Sequence, residues 1–181
     1  GLLGYGLKTR RYELKSAHLC EDRNEMEGEL SKLDFPKNFK LVITGGGRVA
    51  GGALEVLEKT NIKRVSPEEF LHTHFNEPVY TQLDVEDYVK RDDDAPFDKS
   101  KFFNDPSGHS SNFMRYAAAA DVYVACHYWD NRSPFIFTRE DVKSSKWNIS
   151  LVADVSCDID GPVATTLRPS TIANPFYGYD A

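Results

Sequence analysis

The chain has 181 residues, 40% of them hydrophobic, enough for a core that takes about 70% of the unfolded surface out of water. Lys and Arg number 22 against 28 Asp and Glu, a formal charge of −6. That balance argues against a nucleic-acid or anionic-membrane surface, because either calls for clustered cations. No apolar run approaches the roughly 18 residues that span a bilayer, no secretory leader is read, and Cys20, Cys126 and Cys157 suit neither a disulfide framework nor a zinc knuckle. The expectation is a soluble, cytoplasmic protein. The start at Gly1-Leu2-Leu3 and the stop just after Phe176-Tyr177-Gly178-Tyr179-Asp180 read as a piece of a longer protein.

Taken in order, residues 1–36 read as a helical segment. Asp22-Arg23-Asn24-Glu25 has the form of a capping box, Met26, Leu30 and Leu33 follow as one helical stripe, and Pro36 ends it. Phe39 to Thr44 is a short β-prone run, continuously apolar toward its end, as suits a strand buried on both faces. Gly45-Gly46-Gly47 follows, and from Ala50 the pattern turns helical, with Ala50, Ala53, Leu54 and Leu57 on one face. Asn61 closes that helix and Ile62 to Val65 reads as a second strand, completing a βαβ unit. Residues 66–108 are broken by prolines and strongly acidic; Val79 to Leu83 reads as a strand and Val85 to Lys90 as part of a helix. Ser111 then caps a helix running through Ala119, Asp121 to Cys126 is a strand, Asp141-Val142 lies in a helical connection, and Ile149 to Ser156 is a further strand. Apolar strands alternating with helices imply an α/β protein with an open, mostly parallel, doubly wound sheet of Rossmann type over residues 37–181, preceded by the helical arm.

Gly45-x-Gly47-x-x-Ala50 is a dinucleotide-binding fingerprint with Ala in the third place. The first Gly permits the tight turn, the second leaves room for backbone to approach a pyrophosphate, and Ala lets the helix pack closely on the sheet. The anion then meets free N–H groups at a helix N-terminus. Strand before and amphipathic helix after are the context the motif requires. The acid expected about 20 residues on, which would bind the adenosine ribose, is absent: the count reaches Val65 and Ser66, with Glu68 and Glu69 just beyond and Lys63 and Arg64 just before. The choice between NAD and NADP stays open.

Val42-Ile43-Thr44-Gly45-Gly46-Gly47-Arg48-Val49 resembles the nucleotide turn of the alanine dehydrogenase and transhydrogenase superfamily. The Gly47-Arg48 pair followed by Gly52-Ala53 is more similar to the lysine-forming saccharopine dehydrogenases and lysine–ketoglutarate reductases. Val152-Ala153-Asp154-Val155-Ser156-Cys157-Asp158 with Gly161 resembles the strand and turn that this family places beside the nicotinamide, and Ser170-Thr171-Ile172 with Pro175-Phe176 resembles the segment that follows. The resemblance implies the NAD(P)-binding domain of an amino-acid oxidoreductase that transfers a hydride at a C–N bond. It implies a substrate domain outside this segment, so that the segment alone lacks turnover, and a possible homodimer. It also implies cofactor contacts at Gly45, Gly47, Arg48, Val49, Ser66, Cys126, His127, Asp154, Val155 and Ser156, with Asp158 as a catalytic candidate.

Other features carry less. His72, His74, His109 and the Asp92-Asp93-Asp94 run are not read as a metal site, since acid runs are usually solvated. Cys157 reads as a small apolar residue. His127 follows a strand at the expected cofactor edge. No Gly-x-Ser-x-Gly elbow and no Walker-type Gly-Lys-Ser/Thr is present. The competing readings are a non-catalytic nucleotide-sensing or interaction domain with the same fold, and an S-adenosylmethionine-dependent transferase, which leaves the motifs near Asp154 and Thr171 without a purpose.

Overall fold

A computed structural model describes residues 1–180. In chain order the elements are α1 (Leu2–Thr9), α2 (Arg23–Glu29), β1 (Lys40–Thr44), α3 (Arg48–Leu57), β2 (Lys63–Arg64), α4 (Pro67–His72), β3 (Val79–Leu83), α5 (Val85–Tyr88), β4 (Val89–Arg91), α6 (Lys99–Asn104), β5 (His109–Ser111), α7 (Met114–Ala117), β6 (Val122–Ala125), α8 (Arg139–Lys143) and β7 (Leu151–Asp154), with short 3-10 turns at Ala17–Leu19 and Leu30–Lys32. Five strands form one parallel sheet in the order β2-β3-β1-β6-β7. The α/β architecture read from the alternation of apolar strands and helices is therefore present.

Strand alternation divides the core in two. Leu41 and Ile43 point to the face covered by Ala50 and Leu57 of α3 and by Tyr5, Phe35 and Phe39. Val42 points to the other face, where Phe70, Tyr88, Phe113, Tyr116, Tyr123 and Phe137 pack. The N-terminal segment thus shares a core with the sheet through Tyr5, which meets Phe39 edge-on at 4.9 Å. That segment is less helical than its pattern suggested. α1 stops where Arg10 turns left-handed (φ 56°), and apart from the 3-10 turn at Ala17–Leu19 the chain is irregular to Asp22, whose carboxylate accepts the Glu25 N–H as expected. The Glu25 carboxylate reaches back to the Glu21 N–H, one residue before the cap.

Two further differences bear on the site. The strand after α3 is only Lys63–Arg64, both exposed, at the sheet edge, and β1 pairs with β3 instead (Lys40 opposite Val79, Thr44 opposite Leu83). β2 and β3 have exchanged places relative to the usual doubly wound order. The reason is burial: Val79, Tyr80, Thr81 and Leu83 fill a central position, which Lys63 and Arg64 cannot. Ser111 does not begin a helix. Ser110 and Ser111 pair with Lys90 and Val89 in a two-stranded antiparallel ribbon, so the helix is confined to α7, and the Ser111 hydroxyl is spent on the Phe113 N–H and the Ile136 carbonyl.

Among the described residues, no helix is long and apolar enough to cross a membrane.

Candidate nucleotide cleft

The strands of a parallel sheet all end on one side, and ligands bind there where the winding reverses. In this sheet that place is the carboxyl end of β1, with β3 on one flank and β6 on the other. A cleft of about 680 Å³ opens there, lined by Gly45, Gly46, Gly47, Arg48, Val49, Asp84, Tyr88, Lys99, Cys126, His127, Tyr128, Trp129, Arg132, Ser156 and Asp158 among others.

Gly45 has φ +112°, and a Cβ there would lie 2.5 Å from the Cys126 carbonyl oxygen and 2.9 Å from the His127 nitrogen. Only glycine fits, and the turn is locked between strands: the Gly45 N–H donates to the Leu83 carbonyl (3.0 Å), and its own carbonyl accepts the Gln82 amide (2.8 Å). Gly47 is different. Its φ is −93°, it is the N-cap of α3 with no side chain satisfying the helix start, and a Cβ there would meet nothing within 4 Å. The open space over Gly47, the unspent N–H groups of the first turn and the exposed Arg48 together suit an anion. Ala50, fully buried, lets α3 lie close against β1.

Beneath the turn lies a buried polar chain. Thr44 Oγ1 is 2.8 Å from both the Tyr123 hydroxyl and His127 Nδ1. His127 is 5% exposed, its Nε2 is buried without a hydrogen-bond partner among the described residues, and burial lowers its pKa to about 4 against the upward pull of Asp158. Burial raises the Cys126 thiol to about 11, so it is a neutral wall of the cleft rather than a nucleophile.

Of the residues singled out from sequence, Gly45, Gly47, Arg48, Val49, Cys126, His127, Ser156 and Asp158 come together here. Three do not line the cleft. Ser66 stands at the end of the edge strand β2, with β3 between it and β1; its hydroxyl accepts the Glu69 N–H and caps α4. Val155 points to solvent, 55% exposed. Asp154 turns away to accept the Cys157 N–H (3.1 Å) and the Thr166 hydroxyl (2.6 Å), fixing the loop that carries Ser156 and Asp158. The Ser156 hydroxyl donates to the His127 carbonyl (2.8 Å) and ties that loop to the end of β6.

One residue was overlooked. Asp84 ends β3, the strand that lies beside β1, and reaches the rim of the glycine turn, 4.0 Å from where a Gly46 Cβ would be. One oxygen accepts the Val85 N–H (2.7 Å), and the other pairs with Lys99. Burial pushes this carboxyl up, but the Lys99 ammonium and the Val85 N–H outweigh it and hold it below the usual carboxylate range. The only signal in the sequence is that Asp84 follows an apolar run at Val79–Leu83; spacing from Gly45 points elsewhere because α4 and its flanks intervene.

A smaller concavity of about 480 Å³ lies beside the β4–β5 ribbon, lined by Arg91, Asp93, Lys101, Asp105 and His109. Arg91 is engaged by Asp93 there. No cluster of three or more potential metal ligands occurs among the described residues.

No family model matches the chain. Among curated proteins it is similar to the mitochondrial alpha-aminoadipic semialdehyde synthases of Mus musculus (28% identity over 179 aligned residues) and Rattus norvegicus (29% over 181), each alignment covering 85% of this chain and 19% of the relative. The alpha-aminoadipic semialdehyde synthase of Arabidopsis thaliana is 24% identical over 159, covering 77% and 15%. The chain therefore spans less than a fifth of the length of these relatives. Homology at low identity over most of the chain supports the saccharopine dehydrogenase-like family that its motifs resemble.

Proposed function

We propose that this chain is the NAD(P)-binding domain of an amino-acid oxidoreductase of saccharopine dehydrogenase type. The observation that carries the reading is the glycine turn. A left-handed Gly45 locked between β3 and β6 presents the open Gly47 and the uncapped start of α3 at the point where the sheet's winding reverses. Glycine turns also serve other nucleotides, so the likeness to alpha-aminoadipic semialdehyde synthases favours the dehydrogenase over the S-adenosylmethionine reading.

In this reading the pyrophosphate rests over Gly47 against the N–H groups of α3 and Arg48. Asp84 takes the adenosine-ribose role for which the spacing from Gly45 offers no acid, since it follows the strand next to β1. Ser156 and Asp158, on the loop fixed by Asp154, face the other half of the cofactor. When bound, the nicotinamide supplies a hydride acceptor or donor. This chain's contribution is to orient that ring and keep water from it. The amino-acid or oxo-acid substrate is held mainly by a domain outside this chain, so the segment alone binds without turning over.

Calorimetric titration of the chain with NAD, NADP and S-adenosylmethionine tests the reading. Preference for a nicotinamide dinucleotide is the expected result. Preference for S-adenosylmethionine, or absence of dinucleotide binding in both this chain and the full-length protein, overturns it.

A further inference from the structure

The strand order sets two side chains on opposite flanks of the glycine turn, Asp84 at the end of β3 and His127 just past β6. A dinucleotide with its adenosine ribose at Asp84 and its pyrophosphate at α3 must lay its remaining half over β6. His127 lines the cleft on that side, and its buried Nε2 has no hydrogen-bond partner among the described residues, an arrangement that proteins otherwise avoid.

The position of its proton follows from counting. Suppose Nδ1 carried it: Nδ1–H would donate to Thr44 Oγ1, and only one of the Thr44 and Tyr123 hydroxyl protons could lie in the bond between them. The other hydroxyl proton would then have no acceptor and the Nε2 lone pair no donor, two unsatisfied groups. In the opposite direction Tyr123 donates to Thr44 and Thr44 donates to Nδ1. Every proton of the chain is then placed except one, on Nε2. An unmet buried group costs roughly 1–3 kcal/mol, so the second direction prevails. Thr44 from β1 bonds the ring at Nδ1, Tyr88 from α5 lies at a ring-centroid distance of 6.0 Å, and Asp158 from the loop after β7 acts on its charge. Asp158 is the one carboxylate acting on the ring. Its pull is weaker than the burial.

We propose, resting on the nucleotide reading above, that His127 is a neutral hydrogen-bond donor to the nicotinamide-ribose half of the dinucleotide, its Nε2–H fixed by the Thr44–Tyr123 hydroxyl pair. The atom it recognises is an acceptor oxygen, of ribose or carboxamide. Ionised imidazole plays no part in that contact.

The test titrates the whole chain with NADH, NADPH and ADP, the last lacking the nicotinamide half. His127→Phe is expected to weaken the preferred dinucleotide about tenfold, the worth of one hydrogen bond, and to leave ADP unchanged. His127→Gln, whose amide nitrogen reaches the place of Nε2, is expected to recover part of the loss. Imidazole 15N NMR of the wild type is expected to show a neutral Nε2–H ring at pH 6, with an Nε2 resonance that moves with dinucleotide and not with ADP. Equal loss for ADP and dinucleotide, undiminished dinucleotide binding by both variants, or an Nδ1–H ring overturns the proposal. Wild-type chain that binds none of the three nucleotides overturns the nucleotide reading itself, whereas wild-type binding with an indifferent His127 overturns only this step.

Discussion

Gly45 and Gly47 sit two residues apart in one turn, yet alanine at each should fail in a different assay. At Gly45 the backbone is in a region that L side chains rarely adopt, which costs of order 1–3 kcal/mol. The added Cβ would also sit 2.5 Å from the Cys126 oxygen and 2.7 Å from its carbonyl carbon, roughly 1 Å inside ordinary contact, with strand backbone that cannot swing aside. Together these come to about 3–5 kcal/mol for Gly45→Ala. For a chain of this size each kcal/mol lowers the melting point by about 2–4 °C, so a fall on the order of 10 °C is expected in a calorimetric scan. Gly47→Ala meets no atom within 4 Å and no left-handed backbone; a poorer N-cap costs under about 1 kcal/mol. Its methyl instead occupies the room left for the pyrophosphate, so dinucleotide affinity should fall at least about tenfold while the melting point barely moves. A Gly45→Ala chain melting within about 2 °C of the wild type would refute the packing argument. A Gly47→Ala chain with undiminished binding would refute the cradle.

Three other outcomes are expected. Thr44→Val keeps the shape but strands the Tyr123 hydroxyl and His127 Nδ1 in the core, so urea denaturation should show a loss of about 2–5 kcal/mol; a loss under about 0.5 kcal/mol contradicts the link. With His127 lowered to about 4 in the folded chain and near 6.5 when unfolded, the unfolded state binds the extra proton between those values. This residue's contribution of about 3 kcal/mol is then whole above pH 6.5 and is lost as pH falls toward 4. Denaturation series at pH 7, 5.5 and 4.5 should therefore have a shallower slope in His127→Phe than in the wild type, and equal slopes reject the assignment. Asp84→Asn preserves a good cap for α5 and removes the charge beside Lys99, so the NADP-to-NAD affinity ratio in titration should rise about tenfold; an unchanged ratio removes Asp84 from the ribose site.

What could be read from the residues alone was local. Thr44-Gly45-Gly46-Gly47 ahead of an amphipathic helix announces the turn and the helix start on which the proposed anion site rests, because the glycine requirement and the apolar period each act within a few residues. The apolar runs at Leu41–Thr44, Val79–Leu83 and Val122–Ala125 announce buried parallel strands for the same reason. Which strand lies beside β1 is a different kind of information. It is decided by competition for a central, doubly buried slot, which Val79–Leu83 wins over Lys63–Arg64, and no spacing rule counts that competition. Counting from Gly45 therefore ends at Val65 and Ser66, beside the edge strand, and not at Asp84, which follows the strand that lies against β1. The antiparallel pairing of Val89–Arg91 with His109–Ser111 was hidden likewise, since three-residue strands separated by prolines carry almost no periodic signal.

On the proposed nucleotide reading, the locked turn has a consequence for when binding would arise as the chain folds. Gly45 is held by the carbonyl of Leu83 and closed over the backbone of Cys126 and His127, so a motif written in three consecutive residues takes shape only when segments some 40 and 80 positions later have arrived. Such distant pairings form slowly. A nascent chain that has not yet emerged past His127 should be blind to nucleotide, and binding should appear in step with the closing of the sheet rather than with the growth of α3. In refolding experiments the nucleotide would thus report a late event.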